Sequence, residues 1–219
     1  MRGKQAKYFS VCYINPMAYE HEIAKAEKEL AKLDPKLGEL IELQKPIVHK
    51  PRSNYFFSLC RSIVGQQVSV AAAATIFSRL EIATGIDPKK ISALSEDQIK
   101  AIGLSRQKAG YIRDLAQHFV NNPEIYNHLG KLSDEEVIQE LTEVKGIGVW
   151  TAQMFLMFTL VRLDVFAPDD IGLQRAMKQL YGWRGVPGKD KLEKTAAKWR
   201  PYRTMACWHL WQSLHNSPE

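Results

Sequence analysis

The sequence predicts an all-α fold, on two observations. Apolar residues recur at spacings of three and four in nearly every segment, not at two. Helix-capping residues stand at the starts of those segments. Between Met17 and Leu33 the positions Ile23, Ala26, Leu30 and Leu33 share one face among Glu and Lys, the pattern of a packing helix. A shorter helix follows Asp34 and carries Leu37, Leu40 and Ile41. Pro46 and Pro51 then interrupt the pattern, because proline lacks an N–H and clashes with the preceding turn. From Ser53 to Leu80 the chain is so rich in Ala, Val, Ile and Phe that it is predicted to be buried on several sides, through the centre of the molecule. Ser95 with Gln98, and Ser133 with Glu136, fit the capping box, in which two side chains satisfy unpaired N–H groups of a helix's first turn. Another helix is predicted to begin at Ser105. Neither a solenoid repeat nor a low-complexity tract is present.

With 219 residues the chain can form one large core or two modest lobes. At 45% hydrophobic and 25% charged residues, its composition is that of an ordinary globule. Thirty Lys and Arg against 24 Asp and Glu give a formal charge of +6, which favours a polyanionic partner without deciding on one. Cys12, Cys60 and Cys207 are odd in number and far apart, so neither a disulfide framework nor a paired zinc site is suggested, and a reducing compartment suits them. Three thiols also fall short of the four that an iron–sulfur cluster would take from one chain. No apolar run approaches the roughly 20 residues of a membrane span, and the stretch Met1 to Tyr13 lacks a signal-peptide core. The expectation is a soluble, intracellular protein: cytoplasm or nucleoid in a prokaryote, nucleus in a eukaryote.

The most informative stretch runs from Ser133 to Gly182. A capped helix ends near Glu143, Val144-Lys145-Gly146-Ile147-Gly148 follows, and a second helix starts at once with Val149-Trp150-Thr151-Ala152. This is a helix-hairpin-helix pattern. Its two glycines permit a tight turn with positive torsions and leave the amides at the start of the next helix open to a phosphate, which the helix dipole favours and Lys145 supplements with charge. Such contacts position DNA without reading its sequence. On these five residues alone, a sharp turn between two core helices explains the pattern equally well. After the apolar helix Trp150 to Leu163 comes Asp164-Val165-Phe166-Ala167-Pro168-Asp169-Asp170, and helical spacing resumes from Ile171 to Tyr181. An Asp pair after Pro is, taken by itself, a helix cap.

Together, the Gly-Ile-Gly hairpin, the apolar helix and Pro168-Asp169-Asp170 resemble the signature of the helix-hairpin-helix-GPD superfamily of DNA glycosylases. Ile63-Val64-Gly65-Gln66-Gln67-Val68-Ser69 resembles the superfamily segment that approaches the minor groove beside a lesion, and Gly103 to Ala109 resembles another recurrent piece. The tail Trp199-Arg200-Pro201-Tyr202-Arg203, running to His209-Leu210-Trp211, is most similar to the 3-methyladenine DNA glycosylase II family, so the likeness covers Ser53 to Trp211.

The resemblance implies two helical lobes: residues 53–163 ending in the hairpin, and residues 1–52 with 164–219, with the active site in the cleft between them. It implies a monomer acting on double-stranded DNA that carries a damaged base. Asp170 becomes the catalytic carboxylate, favoured as an anion by the helix N-terminus, while Asp169 reads as a cap. Trp150 and Trp211 match aromatic pocket positions, where a cationic alkylpurine would stack with roughly 0.5–2 kcal/mol of cation–π attraction. Trp150 also stands where bifunctional members place a Schiff-base lysine, so water is the expected nucleophile and no strand cleavage follows. Gln67 occupies the position of the inserted wedge, although a buried amide joining helices is an equal reading, and Ser69 is an adjacent backbone contact. Gly146, Gly148, Lys145 and Thr151 would face phosphate. The main-chain carbonyls of Thr142, Val144 and Ile147 match a Na⁺ or K⁺ site. Two alternatives remain at this level: a glycosylase for oxidised or deaminated purines, and a non-catalytic helix-hairpin-helix DNA-binding protein.

Overall fold

A computed structural model describes residues 16–45 and 49–216, with side chains described for 21–45 and 49–214. Cys12, Pro46 and the stretch from Met1 to Tyr13 lie outside the described residues. Among the described residues there is no strand, and the all-α expectation holds. The α-helices are α1 (Pro16–Leu33), α2 (Pro35–Glu42), α3 (Tyr55–Gly65), α4 (Val70–Thr84), α5 (Pro88–Ser92), α6 (Glu96–Ile102), α7 (Arg106–Asn121), α8 (Pro123–Tyr126), α9 (Asp134–Thr142), α10 (Val149–Phe158), α11 (Ile171–Tyr181), α12 (Lys189–Ala197) and α13 (Arg203–Asn216). None is long and apolar enough to cross a membrane.

The chain divides into two compact units. Among the described residues the first is Arg52–Phe155, and the second combines 16–45 and 49–51 with 156–216. The divide thus falls within α10, ahead of the Leu163 boundary read from sequence. In the first unit α3 packs on α4 and α7, and α5 packs on α7. Its core is closed by Leu59, Ile63, Leu80, Ile91, Ile112, Leu115, Leu129 and Leu141, all inaccessible to solvent or nearly so. The anticipated caps form: Ser95 and Gln98 make a capping box on α6, Ser133 and Glu136 make one on α9, and Ser105 caps α7.

Two apolar stretches differ from their sequence reading. Ser53 to Leu80 is not buried throughout: α3 buries Phe56, Leu59, Cys60, Ile63 and Val64, whereas α4 buries only Phe77, Leu80 and Thr84. The break between them follows from Gln67, whose φ is 54°, and Ser69, which caps α4 by accepting the Ala72 N–H. Alanines dominate α4, and they satisfy helix propensity without demanding a partner surface. The helix predicted to run from Trp150 to Leu163 stops at Phe158, because Val161 adopts φ 54° and the Arg162 N–H turns back to Leu156 O.

In the second unit α1 packs on α2, and α13 packs on α1, α2 and α11. Asp34 is its polar centre. The carboxylate caps α2 and accepts from Lys198 Nζ at 2.8 Å, Trp199 Nε1 at 3.0 Å and the Tyr181 hydroxyl. Burial pushes its pKa up, but these donors outweigh burial and hold it below the usual carboxylate range. Cys60 and Cys207 are buried, one in each unit, and burial pushes both thiols up, so they act as small apolar fillers.

Candidate functional site

Asp170 is the N-cap of α11. Its Oδ1 accepts the Leu173 N–H at 2.7 Å and the Trp211 indole Nε1–H at 2.9 Å. The first bond follows from capping chemistry: an extended residue whose side chain reaches the third amide of the helix. The second joins α11 to α13, which bury Leu173, Ala176 and Met177 on one side and Met205, Ala206 and Leu210 on the other. The cap reading and the carboxylate reading therefore fall on one residue. Asp169, expected to be the cap, is exposed and pairs with Lys189 at 3.4 Å.

The loop that delivers Asp170 is clamped from the C-terminal segment. Arg203 Nε meets Asp164 Oδ1 at 2.7 Å and its Nη2 meets Oδ2 at 3.0 Å, a bidentate pair with planar specificity. Arg200 adds a contact at 3.3 Å, and the Thr204 hydroxyl accepts the Val165 N–H at 2.9 Å. The Trp199-to-Arg203 tail is thus a brace: Trp199 holds Asp34, and Arg203 holds Asp164.

An aromatic cluster extends from the carboxylate within the same unit. Phe158 lies 5.5 Å from Trp211 between ring centroids, and 6.1 Å from Trp208. The His49 ring lies 5.1 Å from Phe158 and 4.3 Å from Trp208, edge-on to both. His49, Phe158, Trp211 and Asp170 are half-buried, while Trp208 is fully enclosed. Gly172 leaves room here, since a Cβ at that position would stand 3.0 Å from Asp170 Oδ1 and 3.2 Å from Trp211 Nε1 and press on both groups. Of these residues the sequence reading found Asp170 and Trp211. It missed His49, Phe158, Trp208 and Gly172, which lie far apart in the chain and share no local pattern.

The hairpin belongs to the first unit. Gly146 has φ +84°, and a Cβ there would stand 2.2–2.6 Å from three atoms of the Tyr111 ring, so only glycine fits. Gly148 differs from its expectation. It has no positive φ, and an added Cβ would meet nothing within 4 Å, so the turn itself does not call for glycine at this position. Lys145 is exposed, but its Nζ pairs with Asp114 at 3.3 Å and its backbone N–H donates to Asp114 Oδ2 at 2.8 Å. Thr151 is buried, so its side chain is withdrawn from the surface that the sequence reading gave it. Trp150 is 44% exposed at the start of α10, so it is not a core residue. Gln67 is exposed, and the buried-amide role considered for it belongs to Gln66, whose Nε2 donates to Gly146 O at 2.9 Å. Ser69 is exposed as the cap of α4. The Thr142 hydroxyl turns back to Ile138 O and Gln139 O, and Val144 O accepts the Ile147 N–H at 3.1 Å. Among the described residues no cluster of His, Cys, Asp or Glu is arranged to hold a metal.

These features define an all-helical protein with a tight glycine hairpin and a carboxylate held at a helix N-terminus beside aromatic rings. Residues 60–201 match the model of the HhH-GPD superfamily of base excision DNA repair proteins, and the chain belongs to that family. It is 30% identical over 207 residues to the alkylbase DNA glycosidase-like protein mag2 of Schizosaccharomyces pombe, covering 90% of this chain and 96% of that one. The solved DNA-3-methyladenine glycosidase from Bacillus halodurans has a TM-score of 0.78 at 37% identity, covering 87% of this chain and 89% of the other. The S. pombe 3-methyladenine DNA glycosylase Mag1, solved in complex with abasic DNA, has a TM-score of 0.77 at 28% identity, covering 88% of this chain and 98% of the other. The likeness to 3-methyladenine glycosylases read from the motifs agrees with these relatives.

Proposed function

We propose that the protein is a monofunctional DNA glycosylase of base excision repair. It hydrolyses the N-glycosidic bond of flipped-out alkylated purines, 3-methyladenine and 7-methylguanine, and leaves an abasic site. The observation that carries this reading is Asp170 Oδ1, fixed by two N–H donors beside the half-buried rings of Trp211, Phe158 and His49. Relatives named for 3-methyladenine, and Mag1 bound to abasic DNA, support the substrate and the product.

Breaking the bond between C1′ and the base nitrogen sends the electron pair out with the base and leaves positive charge on the sugar. A carboxylate fixed beside the sugar stabilises that charge more than it stabilises the ground state, in which the sugar is uncharged. Asp170 takes this role, orients the water whose oxygen bonds to C1′ and accepts the proton which that water loses. N-alkylation already places positive charge on the base, so departure requires little protonation, and aromatic faces suffice to select it. Trp211, beside Phe158, serves as a pocket wall. Trp150 brings no amine, so no Schiff base forms and the strand stays intact.

Duplex DNA is held, as a monomer complex, by the α10 amides behind Gly146 and Gly148, with Lys145 adding charge and Gln67 and Ser69 entering beside the lesion. The neutral carbonyls of Thr142, Val144 and Ile147 suit a hard monovalent cation, since a carbonyl that accepts one N–H, as Val144 does, keeps a second lone pair. When bound, Na⁺ or K⁺ there would neutralise phosphate charge. No iron–sulfur cluster is part of this reading.

The test uses duplexes carrying 7-methylguanine, 3-methyladenine, hypoxanthine or 8-oxoguanine, with free base and strand breaks read separately. Release of the two alkylated bases with intact strands is the expected result. Release from 8-oxoguanine alone, or strand scission without added alkali, overturns the substrate or the monofunctional assignment respectively.

A further inference from the structure

We propose that Gln66 is a positioning residue that ties the wedge loop to the phosphate-binding hairpin, setting where Gln67 enters the duplex. The proposal rests on the reading of Gln67 as the wedge. Gln67 and Val68 form the exposed tip of the α3–α4 loop, and Gln67 sits at φ 54°, a conformation that L-residues hold only where their surroundings enforce it. The enforcement is visible on both sides of the tip. Behind it, Lys108 Nζ donates to Val64 O at 2.7 Å, and the Gln66 N–H closes α3 on Ile63 O. Ahead of it, Ser69 caps α4.

One further tether leaves the loop altogether. The half-buried Gln66 amide reaches across 80 residues to Gly146 O at 2.9 Å. Gly146 is a fixed point: the Tyr111 ring fills the space where a side chain would be, and Asp114 grips the neighbouring Lys145 N–H. The residue next to the strained tip is thereby bonded to the first glycine of the hairpin. A phosphate seated on the hairpin and a side chain inserted from the loop are then held at one separation, without Gln66 touching DNA. Without the amide donor, Gln67 is free to relax to negative φ and the tip moves off register.

A double-mutant cycle separates positioning from a merely structural role. Single-turnover release of 7-methylguanine and affinity for a duplex with an abasic-site analogue are measured for Gln66→Leu, Gln67→Ala and the double variant. Gln66→Glu serves as a second replacement that keeps the length but lacks the donor. Gln66→Leu and Gln66→Glu are expected to slow release about tenfold, as Gln67→Ala does, because effects of bonded neighbours are shared and not additive. The double variant should be no slower than Gln67→Ala alone, and abasic affinity should follow the same order. Wild-type rates in both Gln66 variants, or a double loss equal to the product of the single losses, overturn the proposal. A wild-type protein that releases no alkylated base overturns the proposed function instead, while the abasic-duplex affinities still read the Gln66–Gln67 coupling.

Discussion

Replacing Gly146 with alanine tests how the hairpin is built. The added Cβ would sit at φ +84° and 2.2–2.6 Å from Tyr111 Cδ2, Cγ and Cε2. The backbone part should cost roughly 1–2 kcal/mol, and the forced shift of a packed ring a further 1–3 kcal/mol or so. Together they predict a loss of about 2–5 kcal/mol, read as a lower urea midpoint at unchanged slope. In a Tyr111→Ala background the ring is gone, so the cost of Gly146→Ala should fall to about the 1–2 kcal/mol backbone part. Gly148→Ala is the internal control. With no positive φ and open space around it, it should stay within about 0.5 kcal/mol of the wild type, yet weaken binding to an abasic duplex by crowding the α10 amides. Wild-type stability for Gly146→Ala, or an undiminished cost without Tyr111, would refute the account of this turn.

Gly172→Ala should leave the urea midpoint nearly unchanged but slow base release about tenfold, because its Cβ presses on Asp170 Oδ1 and the Trp211 ring, and small displacements of catalytic groups are costly. Equal kcat in the two proteins counts against a tight Asp170–Trp211 geometry. His209 should give the fold an acid-sensitive range. Burial pulls its pKa down to about 4 from an ordinary 6.5, so its ring nitrogens meet Gln44 and Glu27 as a neutral imidazole despite the 3.2 Å ion-pair geometry. The unfolded chain therefore binds the proton more readily, and this contribution is full above pH 6.5 and is lost as pH falls towards 4. Between pH 7 and 5 the wild type should lose about 2 kcal/mol more than His209→Gln in urea titrations. Parallel losses in the two proteins would contradict it. Arg203→Lys keeps the charge but loses the two-pronged grip on Asp164, and should slow base release with little change in abasic-duplex affinity. An unchanged release rate would show that the clamp does not position Asp170.

The caps at Ser95, Ser105 and Ser133 were legible because they are set by residues three positions apart. The hairpin turn was legible as a short pattern with a fixed order, whereas Asp170 by itself reads as a cap and stands out only through the family resemblance. The extent of α10 and the exposure of α4 were not, because Val161 and Gln67 carry positive φ in residue types that give no sign of it. Thr151 reads as a surface residue by type but is buried by its place on α10. Gln66 and Gln67 are indistinguishable in the sequence, and only the bond to Gly146 O separates tether from tip. The rings of His49, Phe158 and Trp208 converge from three segments, so their grouping exists only in the folded chain.

Asp170→Asn tests the central claim most directly. The amide retains an oxygen for the Leu173 and Trp211 donors, so fold and DNA binding should survive, while the negative charge that opposes the developing sugar cation is removed. Single-turnover release of 7-methylguanine should fall by at least about 100-fold, with abasic-duplex affinity close to that of the wild type. Release at the wild-type rate by a protein that still binds the duplex would contradict the assignment of Asp170 as the catalytic carboxylate.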